Sequence, residues 1–282
     1  MNLLLHPRTE KSLSAFLHHP SHAVILTGEP GSGKGTVARH MTNQLLADHS
    51  LANIMALGQE DKAITIEQVR DVIRFTQLTV PGNGQLKRAI IIENAHRMGQ
   101  EAQNALLKLF EEPPADTIII LTSPSASDVL STIRSRAQQI PILPVSVQSS
   151  LEYFAAAGHD KTLIKRNYFL SNGCVGLLSA LLGSDEHPLV EQIQTAKSLI
   201  QSTVFERLTL VEGLSKNRES LDTLLLAIIR VSNAALNQAM QANAKEKVTR
   251  LSQTLNAAVR AKNMLGKSPN TKLLLSDLML NL

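Results

Sequence analysis

The stretch that decides the fold is HAVILTGEPGSGKGT, residues 22–36. Its first part, HAVILTG (22–28), is a short apolar run of the kind that forms a buried strand. GEPGSGKGT (28–36) follows, and helical periodicity resumes over 36–47 through Val37, Met41, Leu45 and Leu46. Strand, glycine-rich turn and helix, in that order, are the setting of a phosphate-binding loop, and Gly28 to Lys34 fits G-x-x-x-x-G-K. Glycines let the backbone fold so that N–H groups face a phosphate, and the N-terminus of the next helix adds positive potential. The candidate nucleotide-binding residues are therefore Gly28, Gly31, Ser32, Gly33, Lys34, Gly35 and Thr36, with Lys34 reaching the outer phosphates. One position departs from the pattern. The Ser or Thr that holds magnesium should follow the lysine, but Gly35 stands there and Thr36 comes one place later.

Upstream, Leu13, Phe16 and Leu17 recur at helical spacing within 8–18. Downstream, a short strand is expected at Ile54–Leu57, then a helix capped by Thr65, with Gln68 completing a capping box and Ile66, Val69 and Ile73 as the apolar stripe. VPGNGQ (80–85) reads as a turn-rich loop. RAIIIE (88–93) reads as a strand, followed by a helix with Ala102, Leu106, Leu107 and Phe110 on one face, which Pro113 and Pro114 stop. TIIILT (117–122) and QQIPILP (138–144) complete the strands. Strands alternating with helices imply a parallel sheet covered on both sides, and unbroken isoleucine runs suit strands buried on both faces.

Beyond about residue 146 the strand signals fade into short helices, and from Pro188 the chain is nearly all helical, with stripes such as Leu221, Leu224, Leu225, Ile228 and Ile229. The final helix should be capped by Ser268, with Pro269 at its first position and Leu274, Leu275, Leu278 and Leu282 as its apolar face. The expected organisation is an α/β P-loop core over 1–145, a small helical lid over 146–186 and an all-α C-terminal domain over 187–282.

Composition narrows the function classes. At 282 residues the chain can bury more than one core. Mean hydropathy is near zero, and the longest apolar runs, such as LLLAII (224–229), fall far short of the roughly 20 residues of a membrane span. MNLLLHPRTEK has no basic start and no long apolar stretch, so no signal peptide and no membrane partner are expected. The single cysteine, Cys174, excludes an internal disulfide and any cysteine-rich zinc site, and a cytoplasmic setting fits. Twenty-eight basic against 24 acidic side chains give a mild +4. With six Phe, two Tyr and no Trp, a base-stacking platform is not expected, so any DNA contact should be to phosphates.

The isoleucine strand ends in Glu93 and Asn94. In a P-loop sheet a carboxylate at this place faces the magnesium, and the next residue orients or deprotonates the attacking water. Aspartate is usual first and glutamate second. Glu93 is a methylene longer, and Asn94 can hydrogen-bond water but cannot take its proton.

Longer strings carry a family resemblance. HPSHAVILTGEPGSGKGT (19–36), EAQNALLKLFEEPPADTIIILTSP (101–124), STIRSRAQQIPILP (131–144) and KSPNTKLLLSDLMLNL (267–282) resemble bacterial DNA polymerase III clamp-loader subunits of the AAA+ class, in the family's order along the chain. The resemblance implies a collar in the C-terminal domain and assembly with other clamp-loader subunits, as a hetero-oligomer of five. It also implies work on a sliding clamp and on primed DNA. Ser135-Arg136 falls on the family's Ser-Arg-Cys motif, with Ala137 for the cysteine, and implies an arginine that reaches a neighbour's ATP in trans. Thr122 or Ser123 falls where the family has its first sensor. In SNGCVGLLSAL (171–181), Leu177 replaces the second sensor arginine. Residues 37–88 lack the four cysteines of the family's zinc module, so no zinc is expected, while ATP or ADP with magnesium remains open as a ligand.

Gly35, Glu93, Asn94 and Leu177 each remove a part needed for hydrolysis rather than for holding phosphate. The expectation is the role of a fixed partner in such a loader: weak nucleotide binding or none, poor hydrolysis, and donation of Arg136 to a neighbouring motor subunit. One alternative is an ATP-hydrolysing motor subunit. Another is a nucleoside monophosphate kinase, because GEPGSGKGT is also similar to the adenylate kinase loop. A third is a AAA+ initiator or helicase loader. That reading would use Lys245, Lys247, Arg250, Arg260 and Lys262, but Leu251, Leu255, Ala258 and Val259 among them read as one face of a packed helix. Gln103, Asn104 and Lys108 are expected on the exposed side of the helix that precedes Pro113.

Overall fold

A computed structural model describes residues 3–46, 53–59, 62–78, 86–183, 187–267 and 270–282. The chain divides into two compact units, Met1–Ser146 and Val147–Leu282.

The first unit alternates helix and strand. Its elements are α1 (Pro7–His18), β1 (Ala23–Thr27), α2 (Lys34–Leu45), β2 (Ile54–Leu57), α3 (Ile66–Gln77), β3 (Arg88–Ile92), α4 (Gln100–Glu111), β4 (Thr117–Ser123), α5 (Ser131–Arg134) and β5 (Gln138–Pro141). The five strands form one sheet in the order β2-β3-β4-β1-β5, and every neighbouring pair is parallel.

Burial on both faces explains the isoleucine runs. Ala23 and Ile25 of β1, Ile90 and Ile92 of β3, and Ile119 and Leu121 of β4 share one core with Val69, Val72, Leu106 and Phe110 of α3 and α4. The alternate residues Val24, Leu26, Ala89, Ile91, Ile118 and Ile120 share the other core with Leu13, Phe16, Val37 and Met41 of α1 and α2. With a side-chain period of two, these three central strands need apolar residues on both faces, while the edge strands β2 and β5 are more exposed. The start of α3 carries the expected capping box between Thr65 and Gln68.

The second unit is helical: α6 (Val147–Ala156), α7 (Lys161–Ser171), α8 (Val175–Leu181), α9 (Pro188–Gln201), α10 (Val204–Leu214), α11 (Arg218–Gln241), α12 (Lys245–Leu265) and α13 (Thr271–Asn281). Leu170, Cys174 and Leu177 lie in the same apolar core as Ile193, Leu225, Ile228, Ala258 and Leu278, so α7 and α8 are packed with the later helices. Buried Arg230 of α11 strengthens this by donating from Nη1 to the Ser171 carbonyl at the end of α7.

Three expectations are corrected in detail. The expected caps Ser268 and Pro269, like the loop 80–85, lie outside the described residues, and α13 begins at Thr271 with the Asn270 side chain accepting from Lys272 and Leu273 N–H. The buried face of α12 is Thr254, Ala257, Ala258, Ala261 and Leu265, and Val259 is exposed. Gln103 of α4 is buried: its amide donates to the Met98 carbonyl and accepts from Leu130 N–H, while Asn104 and Lys108 are exposed as expected.

Among the described residues no helix is long and apolar enough to cross a membrane, and no group of three or more His, Cys, Asp or Glu could hold a metal ion.

Candidate functional site

The parallel sheet presents the carboxyl ends of β1, β4 and β3 side by side, and the loops that leave them carry the candidate residues. Such a crevice is where ligands bind in open α/β sheets. The loop after β1 needs its glycines. Gly31 and Gly33 have φ of 85° and 89°, in the left-handed region that other residues avoid. Gly28 is extended, but a Cβ there would lie 2.6 Å from the Ile142 carbonyl oxygen, so a side chain is sterically barred.

Lys34 opens α2 and is 8% exposed. Its Nζ donates to the carbonyls of Gly28 (2.7 Å) and Glu29 (3.0 Å), holding the loop closed around the ammonium. Ser32 is buried and its Oγ has no hydrogen-bond partner. Thr36 is exposed on the first turn of α2. The first N–H groups of that helix have no intrahelical acceptor. A buried hydroxyl without a partner beside a helix N-terminus and an ammonium is a donor set that fits a phosphate.

The acidic strand is arranged differently from a magnesium site. Glu93 Oε1 accepts from Arg39 Nη1 at 2.6 Å, with the Glu93 side chain 15% and the Arg39 side chain 54% exposed. Glu93 Oε2 leans onto α2: a Cβ on Gly35 would lie 2.4 Å from it. The carboxylate thus occupies the space of the missing side chain at 35, and one of its oxygens is taken by a guanidinium. No hydroxyl is offered at position 35. These residues do not fit a magnesium ion as they fit a phosphate.

Asn94 has φ 54°, a left-handed conformation that asparagine tolerates. Its side-chain Nδ2 donates to the Gly58 carbonyl at 3.0 Å, and its backbone N–H donates to Thr122 Oγ1 at 3.0 Å. Where a glutamate would engage water, Asn94 ties the loop after β2 to the end of β3. Thr122 is 2% exposed and acts as an internal acceptor. Ser123 is fully buried; its carbonyl accepts from Gly28 N–H at 3.3 Å and its Oγ has no partner. Gly28, Glu93, Asn94, Thr122 and Ser123 are therefore brought together, by bonds between strand ends.

Two residues of this cluster escaped the sequence reading, Arg39 and Gly58. Arg39 lies four residues beyond Gly35, hence on the same helix face, and that spacing was a usable signal. Gly58 has φ 77°, and a Cβ there would meet the Glu93 carbonyl oxygen at 1.9 Å. Only the three-dimensional crossing of the two loops reveals it.

Arg136 stands elsewhere. It follows α5 and precedes β5, so it lies at the amino end of the sheet, while the phosphate loop leaves the carboxyl end of β1. The two ends are separated by a strand length, about 15 Å. Ser135 is exposed, and the Arg136 side chain is 37% exposed. Its Nη1 donates to the Thr132 carbonyl (3.0 Å) and Ser135 Oγ (3.3 Å), and its Nη2 pairs with Glu111 Oε1 at 3.1 Å. Leu177 is fully buried in the core of the second unit, in contact with apolar side chains.

Residues 44–146 match the family described as DNA polymerase III, delta subunit. The chain is 34% identical over 163 residues to the DNA polymerase III subunit delta' of Pseudomonas aeruginosa, covering 50% of this chain and 49% of that one. It is 36% identical over 136 residues to the corresponding subunit of Haemophilus influenzae, covering 42% and 41%. The chain thus spans about half the length of the curated relatives it matches. Among solved structures, a DNA polymerase III gamma subunit-related protein of Thermotoga maritima superposes with a TM-score of 0.54 at 18% identity, over 97% of both chains. At that identity the likeness is one of fold, and it covers both units. The fold class is an α/β domain with a parallel sheet and a P-loop-type connection, followed by a helical C-terminal part, and the sequence likeness is to delta prime subunits.

Proposed function

We propose, from this delta prime likeness, that the chain is a subunit of a clamp loader of the DNA polymerase III type, one that serves its neighbours' nucleotide chemistry and has little of its own. The partners of this reading are motor subunits in a ring of five, a sliding clamp, and primed DNA touched through its phosphates. Arg136 acts in trans on a neighbour's ATP.

The observation that carries the reading is the placement of Arg136. It lies a strand length from its own phosphate loop, at the opposite end of the sheet, on an exposed turn. A guanidinium there cannot serve the chain's own site and is available to another molecule. Its pair with Glu111 is partly exposed, of a kind worth about 0–1 kcal/mol, so exchanging that carboxylate for a phosphate costs little. A permanently charged fork suits a transferring phosphoryl group.

The poor-hydrolysis part is supported by the bonds of Glu93 to Arg39 and of Asn94 to Gly58. Losing a general base alone lowers a rate by about 10²–10⁴. Co-purification with a motor subunit, with ATPase measured for each protein alone and for the mixture, tests the proposal. The isolated chain should turn over far more slowly than about 1 s⁻¹, and the mixture should exceed the motor subunit alone. Turnover near that rate by the isolated chain, or no stable association, would refute it.

A further inference from the structure

The arrangement around Gly35 makes a statement about the ligand that a lost active site alone does not. It rests on reading the 28–34 loop as a retained phosphate site. Glu93 Oε1 is held by Arg39, and Oε2 fills the space above Gly35. In a magnesium-using loop those two places belong to a metal-bound carboxylate and to a metal-bound hydroxyl. Here a guanidinium neutralises the carboxylate, and a glycine leaves room for it. The substitution at 35 and the longer acid at 93 are thus one coupled change. A side chain at 35 would push the carboxylate off Arg39, and a shorter acid would vacate the space.

We propose that Arg39 takes the place of the divalent cation, so that this loop binds a metal-free phosphate group, as pyrophosphate or as the diphosphate of a nucleotide. An unpaired Glu93 beside the loop would repel an anion, and a motor site cancels that repulsion with a metal ion. Arg39 cancels it from within the chain, leaving the Lys34 ammonium, the Ser32 hydroxyl and the N-terminus of α2 to face the phosphate.

Calorimetric titration of the full chain with pyrophosphate and with ADP, each in magnesium and in EDTA, tests this. Binding should be alike in both media, within about twofold, and Lys34→Ala should abolish it. Arg39→Ala exposes the carboxylate. It should weaken binding in EDTA by about tenfold, and magnesium should restore much of the loss. A pair this exposed on the arginine side is not needed for folding, and a thermal melt of each variant confirms that. Binding of both ligands assigns the site to the phosphate alone, and binding of ADP only assigns it to a nucleotide; either supports metal independence. Wild-type binding that EDTA weakens tenfold or more overturns the proposal. So does binding of neither ligand, and so does an Arg39→Ala variant indifferent to both changes. None of these outcomes bears on Arg136, whose role is read from a neighbour's turnover.

Discussion

Asn94 is held by two hydrogen bonds at the end of β3. Its amide is committed to the Gly58 carbonyl, and its backbone to Thr122. Placing a carboxylate there should not revive hydrolysis, because Glu93 remains on Arg39 and position 35 offers no hydroxyl. Asn94→Glu is therefore expected to leave ATP turnover of the isolated chain within about threefold of wild type, whereas restoring a missing base in an otherwise working site would raise it by about 10² or more. Asp116 offers a second test at this scale. Burial raises its carboxyl pKa, but hydrogen bonds from Arg88 and Thr117 and the Arg88 charge outweigh that and hold it below its ordinary value. Arg88 itself is 4% exposed and also bonds the Phe75 carbonyl. A depressed carboxyl stabilises the fold above its unfolded pKa, about 3.9, and loses that contribution as pH falls through the folded pKa. Asp116→Asn should lower Tm at pH 7, and its deficit against wild type should shrink as the pH is taken below about 4. The sequence showed that the acid at 93 was long and its successor amidic. It did not show what they bind, because Arg39 reaches them from α2 and Gly58 from the loop after β2.

Elements were far more legible than their side-chain partners. The three central strands β1, β3 and β4 were marked by nearly unbroken apolar runs, and burial on both faces is the reason those runs have no polar alternation, whereas the edge strand β5 begins with two exposed glutamines. The Thr65–Gln68 capping box was readable because its partners are three residues apart. Gln103 was misplaced because a glutamine on a helix reads as solvent-facing. Its burial depends on two backbone groups, Met98 and Leu130, supplied by distant turns. Junctions between elements carry the energetic risk. Gly58→Ala would set a Cβ 1.9 Å from the Glu93 carbonyl oxygen at φ 77°, so it should destabilise the first unit by about 2–4 kcal/mol in a denaturant melt. In the second unit, Arg207 is 4% exposed and donates to the carbonyls of Leu199, Ile200 and Met279, closing the ends of α9 and α13. Arg207→Ala removes all three bonds, although the Leu199 carbonyl keeps its donors from Ser202, and should cost about 2–4 kcal/mol, with lysine recovering only part.

At the scale of the molecule, an α/β unit carries a glycine-rich loop after β1, beside which Arg39 holds Glu93, and an exposed arginine at the far end of its sheet. The order of motifs along the chain was enough to expect a P-loop sheet and a helical C-terminal part. The use of the site was not, since that depends on which ends of the strands each loop leaves. The account stands on Arg136 acting for a neighbour. A loader assembled from motor subunits and this chain, carrying Arg136→Ala, gives the direct measurement: single-turnover ATP hydrolysis at the adjoining motor site. A trans arginine is worth about 10³ or more in rate, so that site should slow by this order while the assembly stays intact by gel filtration. Glu111→Ala, which removes only the resting partner, should leave the rate unchanged. An intact Arg136→Ala assembly that hydrolyses ATP at the wild-type rate would contradict the account.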